Sequence, residues 1–224
     1  PENHIITGAM AADTDTIMRS FKNVDDSILQ SLKKKFNLTS PIFLYVGRLI
    51  QPKGLRELLI AWKKYNEISS TIGTLLLVGD GSDRNILEQM VNELKLMNVV
   101  FVGNIEYNKI VPYFTVSDVF VMPTLEDNWS LVVPEAMACC KPILCSKYNG
   151  CWPELVHEDV NGHVFDPYDA NSLAMLLKKC TDNCKQLPLM GSASFEIVQD
   201  YTPKKAAESI LKCCQIALDY QRSR

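Results

Sequence analysis

Residues 119–145, VFVMPTLEDNWSLVVPEAMACCKPILC, contain a strand, a loop, a helix and a second strand, and this unit decides the fold. The run Val119–Met122 is short and wholly apolar, which is typical of a strand buried in a parallel sheet, and Pro123 ends it. The helical pattern begins near Leu131, and a second apolar run covers 142–145. Two strands joined through a helix predict a parallel α/β sheet with right-handed crossovers.

The same alternation of strand and helix extends in both directions along the chain. Repeated units of this kind predict a Rossmann-like, doubly wound parallel sheet, because the crossover helices cover its two faces. The predicted strands cover 42–46, 74–78, 99–102, 118–122, 142–145 and 163–165, and the predicted helices cover 25–36, 54–68, 84–96, 108–116, 131–139, 152–157, 171–180 and 203–220.

Acidic and polar side chains follow the strand at 119–122, in the loop that leads to the helix. Glu126, Asp127 and Ser130 lie in this loop, and Glu135 follows Asp127 by eight positions. Ligands of open α/β sheets bind at this carboxyl end of the strands. Carboxylates accept hydrogen bonds from paired hydroxyls, and the free N–H groups at a helix start can hold a phosphate. The pattern indicates a site for a phosphorylated, polyhydroxylated ligand, although these acids alone fit a solvated loop equally well.

A second polar loop lies between the predicted strand 42–46 and the predicted helix 54–68. It contains Gly47, Arg48 and Lys53. An arginine donates planar, charge-assisted hydrogen bonds and a lysine supplies a mobile positive charge, so the pair suits a diphosphate at the carboxyl side of the sheet. Cations beside a helix are also common on solvated surfaces, and this loop by itself does not distinguish the two interpretations.

The order of the motifs along the chain resembles the donor-binding half of the retaining GT-B glycosyltransferases of the group 1 family. The resemblance extends from residue 41 to the C-terminus, and its motifs are VGRL with the following KG, LLLVGDGSDR, VVFVGNI, SDVFVMPTLEDNWSLVVPEAMACCKPIL, NGCWPELV and NGHVFDP. It implies the C-terminal half of a GT-B fold and transfer of a sugar from a nucleoside diphosphate sugar to an acceptor hydroxyl, with retention at the anomeric carbon. It also implies that no metal and no further cofactor take part, and it favours a UDP-sugar as the donor.

In that family an acid, seven intervening residues and a glutamate form the sugar-nucleotide signature, and Asp127 and Glu135 match it here. The first acid of the family is most often a glutamate, so Glu126 is the alternative to Asp127 as the catalytic acid beside the transferred sugar. Ser130 and Cys140 stand where the family often has glycine. By resemblance, Glu135 would bind the ribose, Gly47, Arg48, Lys53, Ser130, Leu131 and Val132 the diphosphate, and Gly103, Asn104 and Ile105 the base.

The resemblance also predicts the domain organisation. Residues 1–40 are expected to form a linker with one amphipathic helix, and residues 41–224 the nucleotide-sugar domain, which ends with the helix 203–220. The N-terminal acceptor domain of the family would precede Pro1, and contact with a membrane surface would pass through that domain. We therefore expect this chain alone to bind a nucleotide sugar weakly and to transfer it poorly or not at all, because transfer requires donor and acceptor to be held together.

Composition narrows the function further. The chain has 224 residues, 47% of them hydrophobic, and a formal net charge of −3, so it can bury one core and lacks the positive charge of a nucleic-acid binder. Its apolar runs are shorter than the ~18 residues that a membrane span needs. With no signal peptide and eight cysteines of irregular spacing, we expect a cytoplasmic enzyme with reduced thiols, active in polysaccharide or glycoconjugate synthesis.

Three other classes of protein fit parts of the sequence. A nucleotide-sugar epimerase shares the GT-B architecture, and a noncatalytic interaction domain would use the acidic loop to bind a protein partner. A nicotinamide-dependent Rossmann oxidoreductase would have a similar sheet, but the chain lacks its glycine fingerprint. The glycine loop at 79–84 follows the second strand rather than the first, and Arg84 occupies the place of the third glycine.

Overall fold

The strands of the protein form one sheet. The computed structural model describes residues 10–222, and the strands in that range are β1 (Ile42–Val46), β2 (Thr74–Val78), β3 (Val99–Gly103), β4 (Val119–Met122), β5 (Ile143–Ser146) and β6 (Gly162–Phe165). Neighbouring strands are parallel throughout, in the order β3, β2, β1, β4, β5, β6. The predicted Rossmann-like, doubly wound α/β fold is confirmed, and every strand begins and ends within one residue of its predicted place.

In the described residues, helices precede, connect and follow the strands. They are α1 (Thr14–Lys22), α2 (Asp26–Phe36), α3 (Leu55–Ile68), α4 (Arg84–Glu93), α5 (Val111–Val116), α6 (Val132–Ala138), α7 (Trp152–Leu155), α8 (Ala170–Asp182), α9 (Leu187–Val198) and α10 (Pro203–Arg222). All eight predicted helices are present, with ends displaced by at most three residues. For example, α4 ends early because Lys95 adopts a left-handed φ of 51°, and α5 begins late because Pro112 occupies its first turn. Across residues 10–222, no helix combines the length and apolarity needed to cross a bilayer.

Two helices, α1 and α9, are absent from the sequence prediction. Helix α1 lies in the stretch expected to be a linker with one helix, so the prediction of a single helix there is wrong; residues 1–9 of that stretch lie outside the described residues. Ile17 of α1 is buried and Phe21 packs against the core, so this helix is part of the packed structure. Helix α9 contains Pro188 and Gly191, which weaken its helical signal.

The core around β1 is aromatic. Phe43 meets Trp62 of α3 edge to face, with ring centroids 5.6 Å apart, and Trp62 donates its indole N–H to the Met97 carbonyl at 2.9 Å. Full burial of one such large side chain stabilises the fold by about 3 kcal/mol. The predicted apolar face of α3 is buried as a whole and comprises Leu55, Leu58, Leu59 and Trp62. This packing fixes β1 and α3, and therefore the loop between them.

Gly54 brings that loop against the end of β4. Its φ is +67°, and a Cβ at this position would lie 2.0 Å from the Pro123 carbonyl oxygen, so a side chain is excluded. Two hydrogen bonds reinforce the approach, because the Leu125 N–H and the Thr124 hydroxyl both donate to the Pro52 carbonyl, at 2.8 and 2.9 Å. The order of strands changes direction between β1 and β4, which is the place where open α/β sheets bind ligands.

Candidate functional site

Two of the predicted site loops meet at this edge of the sheet. Lys53 donates to Asp127 in a short ion pair, and the two side chains are only 19% and 15% exposed. Asp127 also accepts from the Ser130 hydroxyl at 2.6 Å and from the Trp129 N–H at 3.1 Å. Burial alone would raise the pKa of Asp127, but the hydrogen bonds from Lys53 and Ser130 outweigh it, and the pKa is lowered. Asp127 is therefore an anion at neutral pH, held by three hydrogen-bond donors.

Glu126, the alternative first acid of the signature, has different surroundings. Its side chain is exposed, and its carboxylate bonds no residue that the structure describes. Its contribution to the loop is made by the backbone, since its carbonyl lies 2.9 Å from the Thr124 hydroxyl and shares that donor with the Pro52 carbonyl. The geometry thus brings Asp127, and not Glu126, to Lys53.

Asn149, which the sequence analysis does not single out, holds the acidic loop in place. It is fully buried, donates to the Ser130 hydroxyl at 2.8 Å and accepts from the Ser130 N–H at 3.4 Å. Next to it, the Gly150 N–H donates to the Asp127 carbonyl at 2.8 Å, and the Asp127 N–H donates to the Tyr148 carbonyl. The Asn-Gly pair after β5 signals a turn at this edge of the sheet, but no sequence signal identifies Ser130 as its partner.

The N–H groups at the start of α6 are partly free. The N–H of Ser130 is used by Asn149, but the N–H groups of Leu131 and Val132 donate to no residue in the described part of the chain. Leu131 is 40% exposed. Two of the three predicted backbone donors are therefore available to an anion.

Glu135, the second acid of the signature, lies in the first turn of α6 beside Tyr107. The Tyr107 hydroxyl donates to Glu135 Oε1 at 3.0 Å. Burial raises the pKa of Glu135, the hydrogen bond from Tyr107 opposes this rise, and the charge of Asp13 at the start of α1 adds to it. Burial and the charge of Glu135 in turn raise the pKa of Tyr107, so its hydroxyl stays protonated and donates.

A cavity of 240 Å³ combines the predicted cation loop with the predicted base segment. Its lining includes Gly47 and Arg48 of the cation loop and Asn104 and Ile105 of the base segment. The Arg48 side chain is exposed, and its guanidinium bonds nothing among residues 10–222. Gly103, although predicted for the base, does not line the cavity. Its carbonyl accepts from the Gly79 N–H at 2.9 Å, so it joins β3 to the end of β2.

Tyr45 is a buried residue that supports the cation loop, and the sequence analysis does not identify it. Its hydroxyl donates to the Arg48 carbonyl at 2.8 Å. Burial and the charge of Asp127 raise its pKa, while the charge of Arg48 lowers it, so the hydroxyl keeps its proton and donates. The phenol therefore supports the loop that presents Arg48.

These groups define the chemistry that the edge can perform. The free guanidinium of Arg48, the ammonium of Lys53 and the N–H groups of Leu131 and Val132 can stabilise an anion. The open oxygen of Glu135 can accept hydrogen bonds from hydroxyls. Within residues 10–222, no three or more His, Cys, Asp or Glu side chains are grouped to hold a metal ion.

Comparison with known proteins identifies the family. The sequence model of the family described as glycosyl transferases group 1 matches residues 27–193, which is most of the chain. The chain belongs to the group 1 glycosyltransferases. A curated relative, the GDP-mannose-dependent monoacylated alpha-(1-6)-phosphatidylinositol monomannoside mannosyltransferase of Corynebacterium glutamicum, is 27% identical over 176 residues. The match covers 75% of this chain and 45% of that relative.

Solved structures share the fold of this group 1 chain. A glycosyltransferase from Rickettsia africae has a TM-score of 0.81 at 19% identity, over 95% of this chain and 57% of that one. Anabaena HepE in complex with UDP has a TM-score of 0.74 at 22% identity, over 95% of this chain and 56% of that one. The chain spans less than half the length of the curated relatives it matches and about half of the solved ones. The predicted C-terminal half of a GT-B fold is confirmed.

Proposed function

We propose that this chain is the donor-binding domain of a retaining glycosyltransferase, which transfers a sugar from a nucleoside diphosphate sugar to an acceptor hydroxyl. The observation that supports the proposal is that two cationic side chains and two carboxylates lie in the segments that follow β1 and β4, which are neighbouring strands. Arg48 and Lys53 supply the positive charge, and Glu135 supplies the acceptor. Family membership supports the same assignment.

The diphosphate is the leaving group of the proposed reaction. When the bond between the sugar and the diphosphate breaks, negative charge develops on the phosphate oxygen. Arg48, Lys53 and the N–H groups of Leu131 and Val132 would stabilise this charge, as preorganised donors do in other enzymes. Lys53 enters the reaction already paired with Asp127, so the diphosphate shares this cation with the carboxylate.

Asp127 is proposed to orient the transferred sugar. Its carboxylate accepts from a cation, a hydroxyl and a backbone N–H, and its pKa is lowered. A carboxylate held in this way is a weak base and a weak nucleophile. These contacts favour retention by departure of the diphosphate and attack of the acceptor on the same face of the sugar, without a covalent bond to Asp127.

UDP-sugar is the donor that we propose. Support comes from the solved Anabaena protein, which contains UDP, and from the cavity that Asn104 and Ile105 line together with Arg48. The mannosyltransferase relative depends on GDP-mannose by its name, so GDP is the first comparison. We further propose that the complete enzyme is cytoplasmic, that an acceptor-binding domain completes it, and that it acts in polysaccharide or glycoconjugate synthesis. The isolated chain would then bind donor without transferring it at normal enzyme rates.

Calorimetric titration tests the proposal. The chain is titrated with UDP, GDP and ADP, and then with the matching glucose derivatives. We expect saturable binding of one nucleotide series and at least tenfold weaker binding by Glu135→Ala and by Arg48→Ala, because each variant loses a charged hydrogen-bonding group. Glu196→Ala, which changes an exposed glutamate of α9, is the control and should bind as the wild type does. Binding that is absent, or unaffected by both site variants, would contradict the proposal.

The same titration decides between the two candidate first acids. Asp127→Ala should weaken binding of the nucleotide sugar more than binding of the nucleotide alone, because the carboxylate is assigned to the sugar. Glu126→Ala should change neither, since its side chain points into solvent without partners in the described chain. The reverse result would assign the sugar to Glu126.

A further inference from the structure

Tyr107 joins two segments of the proposed nucleotide site. It lies in the short 3-10 turn Tyr107–Lys109 after β3, directly beyond the predicted base segment. Its hydroxyl reaches Glu135 of α6, which is 28 positions away, at 3.0 Å. The residue is 53% exposed, so this bond is not a by-product of core packing. The contact connects the proposed base side of the site with the proposed ribose acceptor.

The bond from Tyr107 leaves Oε2 of Glu135 without a donor among the described residues. A carboxylate has two oxygens with about four acceptor positions, and a vicinal diol needs two of them. Tyr107 occupies a position on Oε1, and no other side chain or N–H of the described residues donates to either oxygen. Since a free carboxylate can rotate about its terminal bond, one fixed oxygen sets the direction of the other.

We propose that Tyr107 is a positioning residue for the ribose. It holds the Glu135 carboxylate in the orientation that accepts the paired ribose hydroxyls, and it thereby makes the site prefer ribonucleotides to 2′-deoxyribonucleotides. The inference rests on the proposed function, because it needs Glu135 to face a nucleotide. It goes further than that proposal, because it assigns the preference for ribose over 2′-deoxyribose to Tyr107, which lies outside the signature.

The electrostatic surroundings of Glu135 agree with this role. Three titratable groups face it: Tyr107 from the 3-10 turn, Asp13 from the start of α1, and Cys139 from the end of α6. Burial, and then the charge of Asp13, favour the protonated carboxyl, whereas the Tyr107 hydroxyl favours the carboxylate. Burial raises the pKa of Cys139 to about 12, so its thiol is neutral. Removing the Tyr107 hydroxyl should therefore raise the pKa of Glu135 further and weaken its acceptor as the pH falls.

Binding of UDP and 2′-deoxy-UDP to Tyr107→Phe tests the inference. The variant keeps the ring and loses the donor. We expect its affinity for UDP to fall about fivefold, the equivalent of one hydrogen bond, while its affinity for 2′-deoxy-UDP changes less than twofold. The loss should be larger at pH 6 than at pH 8. Tyr168→Phe is the control, because Tyr168 is 65% exposed and its hydroxyl bonds none of the described residues.

The outcomes separate the inference from the proposed function. An equal loss for UDP and 2′-deoxy-UDP would show a general structural effect and overturn the positioning role, and so would unchanged binding of both. If the wild type binds UDP or GDP but Tyr107→Phe keeps its preference for the ribonucleotide, the inference alone fails. If the wild type binds none of UDP, GDP and ADP, both the proposed function and the inference about Tyr107 fail.

Discussion

The loop after β4 and the first turn of α6 each carry one acid of the signature, but the two acids have opposite surroundings. Asp127 in the loop is neutralised by the ammonium of Lys53, and its pKa is lowered in spite of burial. Glu135 in the helix is partly buried, accepts from a hydroxyl and is affected by the charge of another acid, and its pKa is raised. The spacing of the two acids in the sequence therefore does not determine their electrostatic roles. Those roles depend on residues that other segments contribute.

Of the changes that test this contrast between the two acids, removal of the Lys53 ammonium should have the largest effect on stability. Lys53→Met should lower the free energy of unfolding by about 2 kcal/mol, because it leaves the mostly buried Asp127 charge unpaired. Chemical denaturation at pH 7 measures it. The matched control is Lys63→Met in α3, whose partner Glu67 is 57% exposed, and its effect should stay below about 0.5 kcal/mol. The double variant Lys53→Met/Asp127→Asn should recover part of the loss, and simple additivity would show that the two residues are not coupled.

Neutralising the loop acid should have the next largest effect. Asp127→Asn should lower the free energy of unfolding by about 1.5 kcal/mol at pH 7, because Lys53 loses its partner. The folded pKa of Asp127 lies below its unfolded value of about 4, so its contribution is complete above that pH and disappears as the pH falls through the folded pKa. The difference between variant and wild type should therefore shrink towards pH 3. A difference that is independent of pH would contradict the assigned ion pair. Asp182→Asn in the exposed pair with Lys178 is the control.

A residue just beyond the C-terminal end of α6 allows the effect of backbone strain on stability to be tested apart from that of charge. Cys140 has a left-handed φ of 55°, and a side chain in this conformation costs about 1 kcal/mol. Cys140→Gly should raise the free energy of unfolding by up to about 1 kcal/mol at every pH. Cys140→Ala keeps the Cβ and should give no gain. A stabilisation that varies with pH would mean that charge, and not strain, dominates at this end of the helix.

The smallest expected effect has the opposite sign to that at Asp127. Because the folded pKa of Glu135 lies above its unfolded value, its ionisation opposes folding as the pH rises. Glu135→Gln should therefore raise the free energy of unfolding by about 0.5 kcal/mol at pH 7.5 and have little effect near pH 4. Denaturation at these two pH values measures the change. If Glu135→Gln and Asp127→Asn both destabilise the protein at neutral pH, the contrast between the two acids is wrong.

The sequence predicts the sheet well because the strands are short apolar runs with clear ends. Val119–Met122, for example, is stopped by Pro123, and burial on both faces makes such a run typical of parallel strands. It also predicts that the loops after β1 and β4 carry the polar residues. That the two loops touch depends on β1 and β4 being neighbours, which follows from the order of strands rather than from the residues of either loop.

The contacts that tune the site could not be predicted from the sequence. Tyr107 and Asn149 are single polar residues in loops, and their partners Glu135 and Ser130 are 28 and 19 positions away. Asp13 raises the pKa of Glu135 because α1 packs beside α6. The sequence predicts a linker, and not this helix, at the residues of α1. Such pairings depend on how helices and loops pack in three dimensions, and hydrophobic periodicity carries no information about them.

The order of strands also governs when the site exists during synthesis. Strands β1, β2 and β3 are consecutive in the chain and form one half of the sheet, so they can pair while later residues are still being translated. β4 then joins the free edge of β1, and Lys53 meets a residue 74 positions further along. A nascent chain that stops before β4 has the cation loop without either signature acid. The ion pair between Lys53 and Asp127 therefore forms only after β4 has joined the sheet, and until then Lys53 lacks this partner.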